Sequence, residues 1–180
     1  MHRTSNSLSK NIRFKAAELL NRHLAAAIDL HAQIKQAQWN VRGPASIAIY
    51  ELLDNVAEAV EGYSDAIAER AGALGATAEG PMHVAVQRSF LEPYKLGVAD
   101  EESHLAAVTA ALAAFGDAVR KAIDEAAAFG DADTSDVFTQ VSRGVDYQLW
   151  LVESQLHSFL FALFMGRGVV RHRSQTKWDR

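Results

Sequence analysis

The chain has 180 residues, of which 49% are hydrophobic, with 3 prolines, 11 glycines and no cysteine. This length suits one domain with a substantial core, and the composition favours long helices. The lack of cysteine excludes disulfides, thiolate metal sites and cysteine nucleophiles, and it is typical of the reducing cytoplasm. Because the sequence has neither an N-terminal signal core nor an apolar run of membrane-spanning length, we expect a soluble cytoplasmic protein.

The net charge of -4 conceals a strong segregation of charge along the chain. Residues 1–22 carry five basic side chains and one acidic side chain, and residues 167–180 carry the same numbers. The region between them therefore holds eight basic and twenty acidic residues. The sequence thus combines an acidic body with basic ends, a pattern that points to contacts with an anionic partner.

The first two predicted helices cover residues 9–39 and 46–74, where apolar side chains recur every three or four positions. Residues 40–44 form the turn between them, and Gly75 is placed to end the second helix. A looser connection follows over residues 76–97, and residues 81–86 are predicted as a short extra helix on it.

The third predicted helix covers residues 100–129, and the fourth begins with Asp133 or Thr134 as its N-cap and reaches about residue 165. Short links within each half and a long link in the middle are typical of a four-helix bundle with a crossover. The sequence therefore predicts an all-α bundle over residues 9–165. Residues 1–8 are predicted as a flexible basic tail before the bundle, and residues 166–180 as another after it.

Five carboxylates of the second helix are spaced by four, three, four and four residues, which places them on one face. They are Asp54, Glu58, Glu61, Asp65 and Glu69. A solvated polar face is the simplest interpretation of such a stripe. Against it, like charges at these spacings repel, and no lysine or arginine is interleaved because Arg70 points elsewhere.

The seven histidines form no His-x-x-x-His or Glu-x-x-His pair, so no helix carries a ready-made pair of metal ligands. His31 lies two turns before Gln38 on the same helical face, so it is a candidate ligand for the same site. The serines lie in no nucleophile-elbow context. Any chemistry that the chain carries out is therefore expected to involve a metal, while periodicity alone still favours a solvated polar face for the stripe.

Several motifs together resemble the Dps family, the small ferritin-like proteins of starved bacteria. They are Lys-Gln-Ala-x-Trp-Asn-Val-x-Gly at residues 35–43, the segments 50–54 and 65–70, and the later residues Arg143, Asp146, Trp150 and Glu153. The resemblance covers essentially the whole chain. It implies a ferritin-like four-helix bundle and a hollow dodecamer that takes up iron, oxidises Fe(II) with peroxide or oxygen and stores the mineral.

In that family each iron-oxidising site lies between two subunits, and the resemblance assigns its catalytic and metal-binding carboxylates to Asp54 of one subunit and to Asp65 and Glu69 of the other. The positions of its two histidines are occupied here by Gln38 and Tyr50. The predicted metal ligands are therefore Asp54, Asp65, Glu69, Gln38, Tyr50 and, as a partial replacement, His31.

The loss of both imidazoles changes the chemistry that we expect. Imidazole suits Fe(II), whereas amide and carboxylate oxygens suit harder cations and discriminate less among them. Gln38 has a carbonyl oxygen to offer. A phenol ionises only near pH ~10, so Tyr50 would ligate as a phenolate, which Fe(III) promotes. We expect weaker Fe(II) capture and slower oxidation than at a complete site.

The resemblance also implies acidic pores near the start of the fourth helix, with Asp136 as the matching position and Asp131 and Asp133 close by. Such a pore concentrates cations, although the same residues are also suited to helix capping. Many family members bind DNA, and twelve copies of two basic tails would add weak phosphate contacts together. The predicted DNA-binding residues are Arg3, Lys10, Arg167, Arg171, Arg173 and Lys177; basic tails without function are the alternative.

We therefore expect an iron-oxidising and iron-storing protein that protects DNA at the nucleoid, with a ferroxidase site impaired by the loss of both histidines. One alternative is a structural shell that compacts DNA without oxidising iron. Another is a site for a different divalent metal.

Overall fold

The computed structural model describes the backbone of residues 1–169 and the side chains of residues 1–157. Within these limits the chain forms five helices: α1 (Lys10–Asn40), α2 (Ser46–Ala73), α3 (Met82–Arg88), α4 (Glu101–Ala128) and α5 (Ala132–Val169). The described residues form no strand, and one isolated bridge pairs Arg42 with Asp100. The predicted all-α bundle, with a long crossover that carries a short extra helix, is confirmed.

Most helix ends follow from local sequence. The Ser9 hydroxyl accepts a hydrogen bond from the Ile12 N–H and caps α1. The second helix ends just before Gly75, whose φ of 76° lies in the left-handed region that favours glycine. The carboxylate of Asp100 accepts from the Ser103 N–H at 2.8 Å and caps α4.

The start of α5 differs from the prediction, which placed the N-cap at Asp133 or Thr134. The structure begins this helix at Ala132 and gives the capping role to Asp131. One oxygen of Asp131 accepts from the Thr134 N–H at 3.1 Å, and the other accepts from the Thr134 hydroxyl at 2.6 Å. The helix also continues to Val169, beyond the predicted end near residue 165.

The core lies between two tightly packed helix pairs, α1 with α2 and α4 with α5. Side chains that are fully buried come from all four long helices: Leu20, Leu30 and Ile34 from α1, Leu53 and Ile67 from α2, Leu105, Leu112 and Phe115 from α4, and Phe138 from α5. Burial of this apolar surface is the main favourable contribution to folding.

Polar side chains of α1 hold the crossover in place. The amide of Asn21 donates to the Thr77 carbonyl at 3.0 Å and accepts from the Glu79 N–H at 2.9 Å. Further along α1, the Gln33 amide donates to the Glu92 carbonyl at 3.1 Å. These bonds satisfy backbone groups that no regular element would pair, so the long connection lies along α1.

The described helices include none that is both long enough and apolar enough to cross a bilayer.

His23 is a buried titratable group in the core. Its Nδ1 lies 2.8 Å from the Leu19 carbonyl oxygen, and its ring meets that of Phe138 edge-on at 4.9 Å between centroids. Burial lowers the pKa of His23 below its ordinary value, and the neighbouring carbonyl groups only partly oppose this effect. The neutral imidazole is therefore part of the native packing.

This arrangement predicts a loss of stability in mild acid. Because the unfolded chain takes up a proton on His23 near pH ~6.5 and the folded chain does so only at lower pH, the free energy of unfolding should fall as pH falls below ~6.5. For each pH unit between the two pKa values, the free energy of unfolding falls by about 1.4 kcal/mol. Urea unfolding at pH 7 and pH 5 should show a smaller difference for His23→Gln than for the parent protein.

His83→Gln is the matched control, since His83 is exposed on α3. His104, whose pKa burial also lowers, should account for part of the slope that remains in His23→Gln. An unchanged pH slope in His23→Gln would contradict the assignment.

Candidate metal centre

All five carboxylates of the acidic stripe, Asp54, Glu58, Glu61, Asp65 and Glu69, are exposed along α2. The opposite face of the helix carries Val56, Val60 and Ile67, which are fully buried against the bundle. The apolar periodicity of α2 therefore fixes which way the carboxylates point. They form a continuous acidic surface on one side of the chain.

Arg70 does not neutralise this surface. Its Nη2 lies 2.6 Å from Asp131 Oδ1, and its Nε donates to the Thr134 hydroxyl oxygen at 3.0 Å. A weaker contact of 3.5 Å joins Nη1 to Asp133. The guanidinium is thus bound to the start of α5, as expected from its position off the stripe.

Asp54 is the one stripe carboxylate with close partners on α1. The Gln38 amide nitrogen donates to Asp54 Oδ1 at 2.7 Å, and the Lys35 ammonium lies 3.0 Å from the same oxygen. The Gln38 hydrogen bond, followed by the contacts with Lys35, holds the pKa of Asp54 below its usual range. Asp54 is therefore kept ionised in mild acid, with the Lys35 ammonium as its counter-charge.

The side chain of Gln38 lies between helices α1 and α2 with 1% of its surface exposed. Its amide nitrogen also lies 3.4 Å from the Tyr50 carbonyl oxygen. Its Oε1 is buried and has no hydrogen-bond partner among the described residues. An unpaired buried acceptor costs stability, and the amide presents its nitrogen rather than this oxygen to Asp54.

Tyr50 lies one helical turn before Asp54, and 47% of its surface is exposed. With Gln38, Trp39 and Glu51 it lines an open pocket of about 430 Å³ at the turn between α1 and α2. Glu101, which the sequence analysis did not single out, fixes this turn: its buried carboxylate accepts from the Ala45 N–H at 2.6 Å.

His31 and Asp65 lie elsewhere on the chain. They line a second open pocket, of about 320 Å³, together with Glu61 and Ser64. Glu69 is exposed one turn beyond Asp65 on α2. The candidate ligands therefore fall into two groups, one around Asp54 and one around Asp65.

No three histidine, aspartate or glutamate side chains of the described residues are placed to hold a metal ion within one chain. The donors around Asp54 are a carboxylate, a phenol and an amide, and those around Asp65 are carboxylates with one imidazole. A site that used both groups would have to be completed by a second copy of the chain.

The three predicted pore residues differ in what they do. Asp131 has 1% of its side chain exposed and is committed to Arg70 and Thr134. Asp133 is 82% exposed, and Asp136 is exposed and accepts from the Gln140 amide at 2.9 Å. Asp133 and Asp136 are thus the pore candidates whose carboxylates reach solvent.

Of the predicted DNA-binding residues, Arg3 and Lys10 are exposed near the start of the chain. The segment before α1 contacts the end of α2, since the His2 N–H donates to the Gly75 carbonyl. The side chain of Arg167 lies outside the described residues, as do Arg171, Arg173 and Lys177 entirely.

Lys35 is the main site residue that sequence reasoning missed. Its ammonium bridges Asp54 and the face of Trp39, which lies 5.9 Å away. The available signal was its position one turn before Gln38 on α1. Helical periodicity does not reveal which carboxylate of another helix such a lysine meets.

The bundle, its crossover and the carboxylate-lined α2 define a ferritin-like protein, and the Ferritin-like domain family model matches residues 17–160. A DNA protection during starvation protein of Agrobacterium fabrum is 37% identical over 155 residues, which are 86% of this chain and 96% of that protein. The chain belongs to the Dps family.

Solved structures agree with this assignment. The tetragonal form of Dps from Mycobacterium smegmatis has a TM-score of 0.81 and 28% identity, covering 87% of this chain and 94% of that one. Dps from Microbacterium arborescens in the high iron form has a TM-score of 0.78 and 29% identity, covering 85% and 99%.

The Arg70–Asp131 pair predicts a structural role for Asp131. Asp131→Ala removes the α5 cap and leaves Arg70, whose side chain is 11% exposed, without its closest partner. Breaking a buried ion pair in this way should lower the free energy of unfolding by about 3–5 kcal/mol. Urea denaturation of the purified variant measures this change.

Asp136→Ala is the matched control, because Asp136 is an exposed aspartate of the helix that Asp131 caps. Its effect should stay within about 0.5 kcal/mol. Equal stability of the two variants would show that Asp131 has no special structural role.

Proposed function

We propose that this chain assembles into a hollow shell of twelve subunits that takes up, oxidises and stores iron and protects DNA. The observation that carries the proposal is the division of the candidate ligands into two groups, one around Asp54 and one around Asp65, neither of which forms a metal site by itself among the described residues. Two facing subunits would combine Asp54 of one with Asp65 and Glu69 of the other. Membership of the Dps family supports this arrangement.

These donors favour hard cations, which prefer oxygen ligands. Asp54 is held ionised, the Gln38 oxygen is unpaired, and the facing group would add two more carboxylates. These donors fit iron, most of all in its ferric state, while the absence of imidazole at Gln38 and Tyr50 weakens the capture of Fe(II). Iron is here a substrate and cargo: Fe(II) gives an electron to peroxide or oxygen, and the ferric product is stored.

Lys35 is the main obstacle to oxidation in this proposal. Its ammonium lies 3.0 Å from Asp54 Oδ1 and offsets the charge of the carboxylate, which weakens the attraction of Asp54 for an arriving Fe(II). The same observation favours a second candidate function, a shell that compacts DNA without oxidising iron. The all-oxygen character of the donors around Asp54 leaves a different divalent metal as a further variant of the same site.

The proposal predicts that restoring imidazole restores oxidation. Gln38→His/Tyr50→His should raise the rate of Fe(II) oxidation by about tenfold or more, since about 1.4 kcal/mol of added transition-state stabilisation suffices. Stopped-flow absorbance with peroxide and with oxygen measures the rate. Asp54→Asn in the double variant is the control, and it should remove the gain.

A parent rate no higher than that of iron without protein would reject the oxidising function and support the DNA-compacting shell. An unchanged rate in the double variant would show that the missing imidazoles do not limit the reaction.

The basic ends of the chain are suited to binding DNA, whereas its middle is acidic. Exposed Arg3 and Lys10, together with Arg167, Arg171, Arg173 and Lys177, would contact phosphates without reading sequence. Repetition around a shell would convert weak contacts into useful affinity and associate the protein with the nucleoid.

Asp133 and Asp136 would line the pores through which iron enters.

Removal of the C-terminal charges should weaken DNA binding. A variant that ends at Gly166 should bind duplex DNA less tightly than the full chain in electrophoretic shifts. Full-length binding should fall on the order of 10³-fold between about 50 and 200 mM salt if six or more phosphates are contacted. Arg171→Gln/Arg173→Gln/Lys177→Gln keeps the length of the chain and should reproduce the loss. Equal affinities of all three proteins would eliminate the C-terminal role.

A further inference from the structure

We infer that Glu101 is a positioning residue for the Asp54 half of the candidate metal centre. From the first position of α4, its buried carboxylate holds the start of α2 in place against α1, and this sets how well Asp54 is placed to bind a cation. The inference deepens the proposed function and rests on it, because the site that Glu101 positions is the one that receives iron. Glu101 acts through the backbone of another helix and is not itself a ligand.

Glu101 is an unusual residue because its carboxylate is buried without a counter-charge. The residue is 1% exposed, and its side chain makes one hydrogen bond and no ion pair among the described residues. Burial removes a carboxylate from water at a high cost in free energy, so such groups are rarely buried unless they are paired. The start of α2 provides what offsets this cost, since the Ala45 N–H donates to Glu101 Oε1 at 2.6 Å.

Helix α2 lacks a cap from its own sequence. Ala45 occupies the N-cap position without any side-chain hydrogen bond, and the first turn of the helix contains no acidic residue. The free N–H groups and the partial positive charge at the start of a helix favour a carboxylate at this place. Glu101 supplies it from α4, whereas Ser9 and Asp100 cap α1 and α4 from within the adjoining sequence.

The turn between α1 and α2, residues 41–45, is shaped to admit this carboxylate. A Cβ atom on Gly43 would collide with the carboxyl group of Glu101, so any other residue there would push the carboxylate away from Ala45. Arg42 is used elsewhere: its guanidinium donates to the Val41 carbonyl at 2.8 Å, and its backbone N–H donates to the Ala99 carbonyl at 2.8 Å. The turn is thus tied to the start of α4 both through its backbone and through Glu101.

The contacts of the metal centre lie directly beside this turn. Gln38 is three residues before it on α1, and its amide nitrogen reaches Asp54 at 2.7 Å and the Tyr50 carbonyl at 3.4 Å. Asp54 lies about two helical turns after the start of α2. Because these contacts join the two helices where the turn connects them, a shift of the first turns of α2 would separate Asp54 from Gln38.

The Asp65 half of the site does not depend on Glu101 in the same way. Asp65 lies about five turns along α2, near the end that Arg70 joins to Asp131 at 2.6 Å. Loss of the Glu101 contact should therefore disturb the Asp54 half and leave the Asp65 half in place.

The experiment compares two neighbouring capping residues of α4. Glu101→Ala removes the carboxylate from the start of α2, and Asp100→Ala removes the cap of α4, whose hydrogen bond to the Ser103 N–H stays within that helix. Both variants should lose stability in urea unfolding, as expected when a cap is removed. Only Glu101→Ala should weaken cation binding at Asp54, by about tenfold, as when a residue that orients a ligand is lost.

Cation affinity is measured on the assembled full-length protein with Tb(III), a hard cation that prefers oxygen ligands. Its luminescence is excited through nearby aromatic side chains, which Trp39 and Tyr50 provide at this site. Asp54→Asn defines the part of the signal that belongs to Asp54. Glu101→Gln is the conservative variant: its amide oxygen still accepts from Ala45 but without charge, so its affinity should fall less than that of Glu101→Ala.

A loss of Asp54-dependent affinity in Glu101→Ala, with Asp100→Ala unchanged and Glu101→Gln in between, supports the inference. Equal losses in Glu101→Ala and Asp100→Ala overturn it, since they would reflect general destabilisation. If Glu101→Ala does not assemble, Glu101→Gln decides, and parental affinity in that variant overturns the inference. A Tb(III) signal that is the same in Asp54→Asn and the parent protein rejects the Asp54 site of the proposed function, and this inference with it.

Discussion

Helices α1 and α2 pack side by side, and Gln38 spans the contact between them. Its amide nitrogen reaches Asp54 at 2.7 Å and faces the Tyr50 carbonyl, so one buried side chain sets the positions of two candidate ligands. The candidate metal centre depends on this arrangement. A change in the packing of the two helices would move the carboxylate, the phenol and the unpaired amide oxygen together.

The second determining feature is competition for Asp54. The Lys35 ammonium lies between Asp54 and the ring of Trp39, so it offsets the negative charge that would attract a cation to the carboxylate. Fe(II) offers two charges to displace it and finds no imidazole. These features together explain why we expect impaired oxidation.

The rest of the acidic surface stays unneutralised because Arg70 is used elsewhere. Its guanidinium binds the carboxylate that caps α5, joining the end of α2 to the start of another helix. This pair buries Asp131, whereas Asp133 and Asp136 are exposed. One ion pair thus links the ends of two helices and also keeps Arg70 away from the acidic surface.

The sequence by itself determined the helices and the face of α2 that carries the carboxylates, because periodicity, Ser9 and Gly75 act over one or two turns. It also indicated, by resemblance, the family and the missing imidazoles. Only the tertiary structure decided that Asp131 caps α5, since three neighbouring residues are able to cap and Arg70, 61 positions away, selects one. The Lys35–Asp54 pair was likewise hidden, because their 19-residue separation crosses a turn and the contact exists only where α1 and α2 pack.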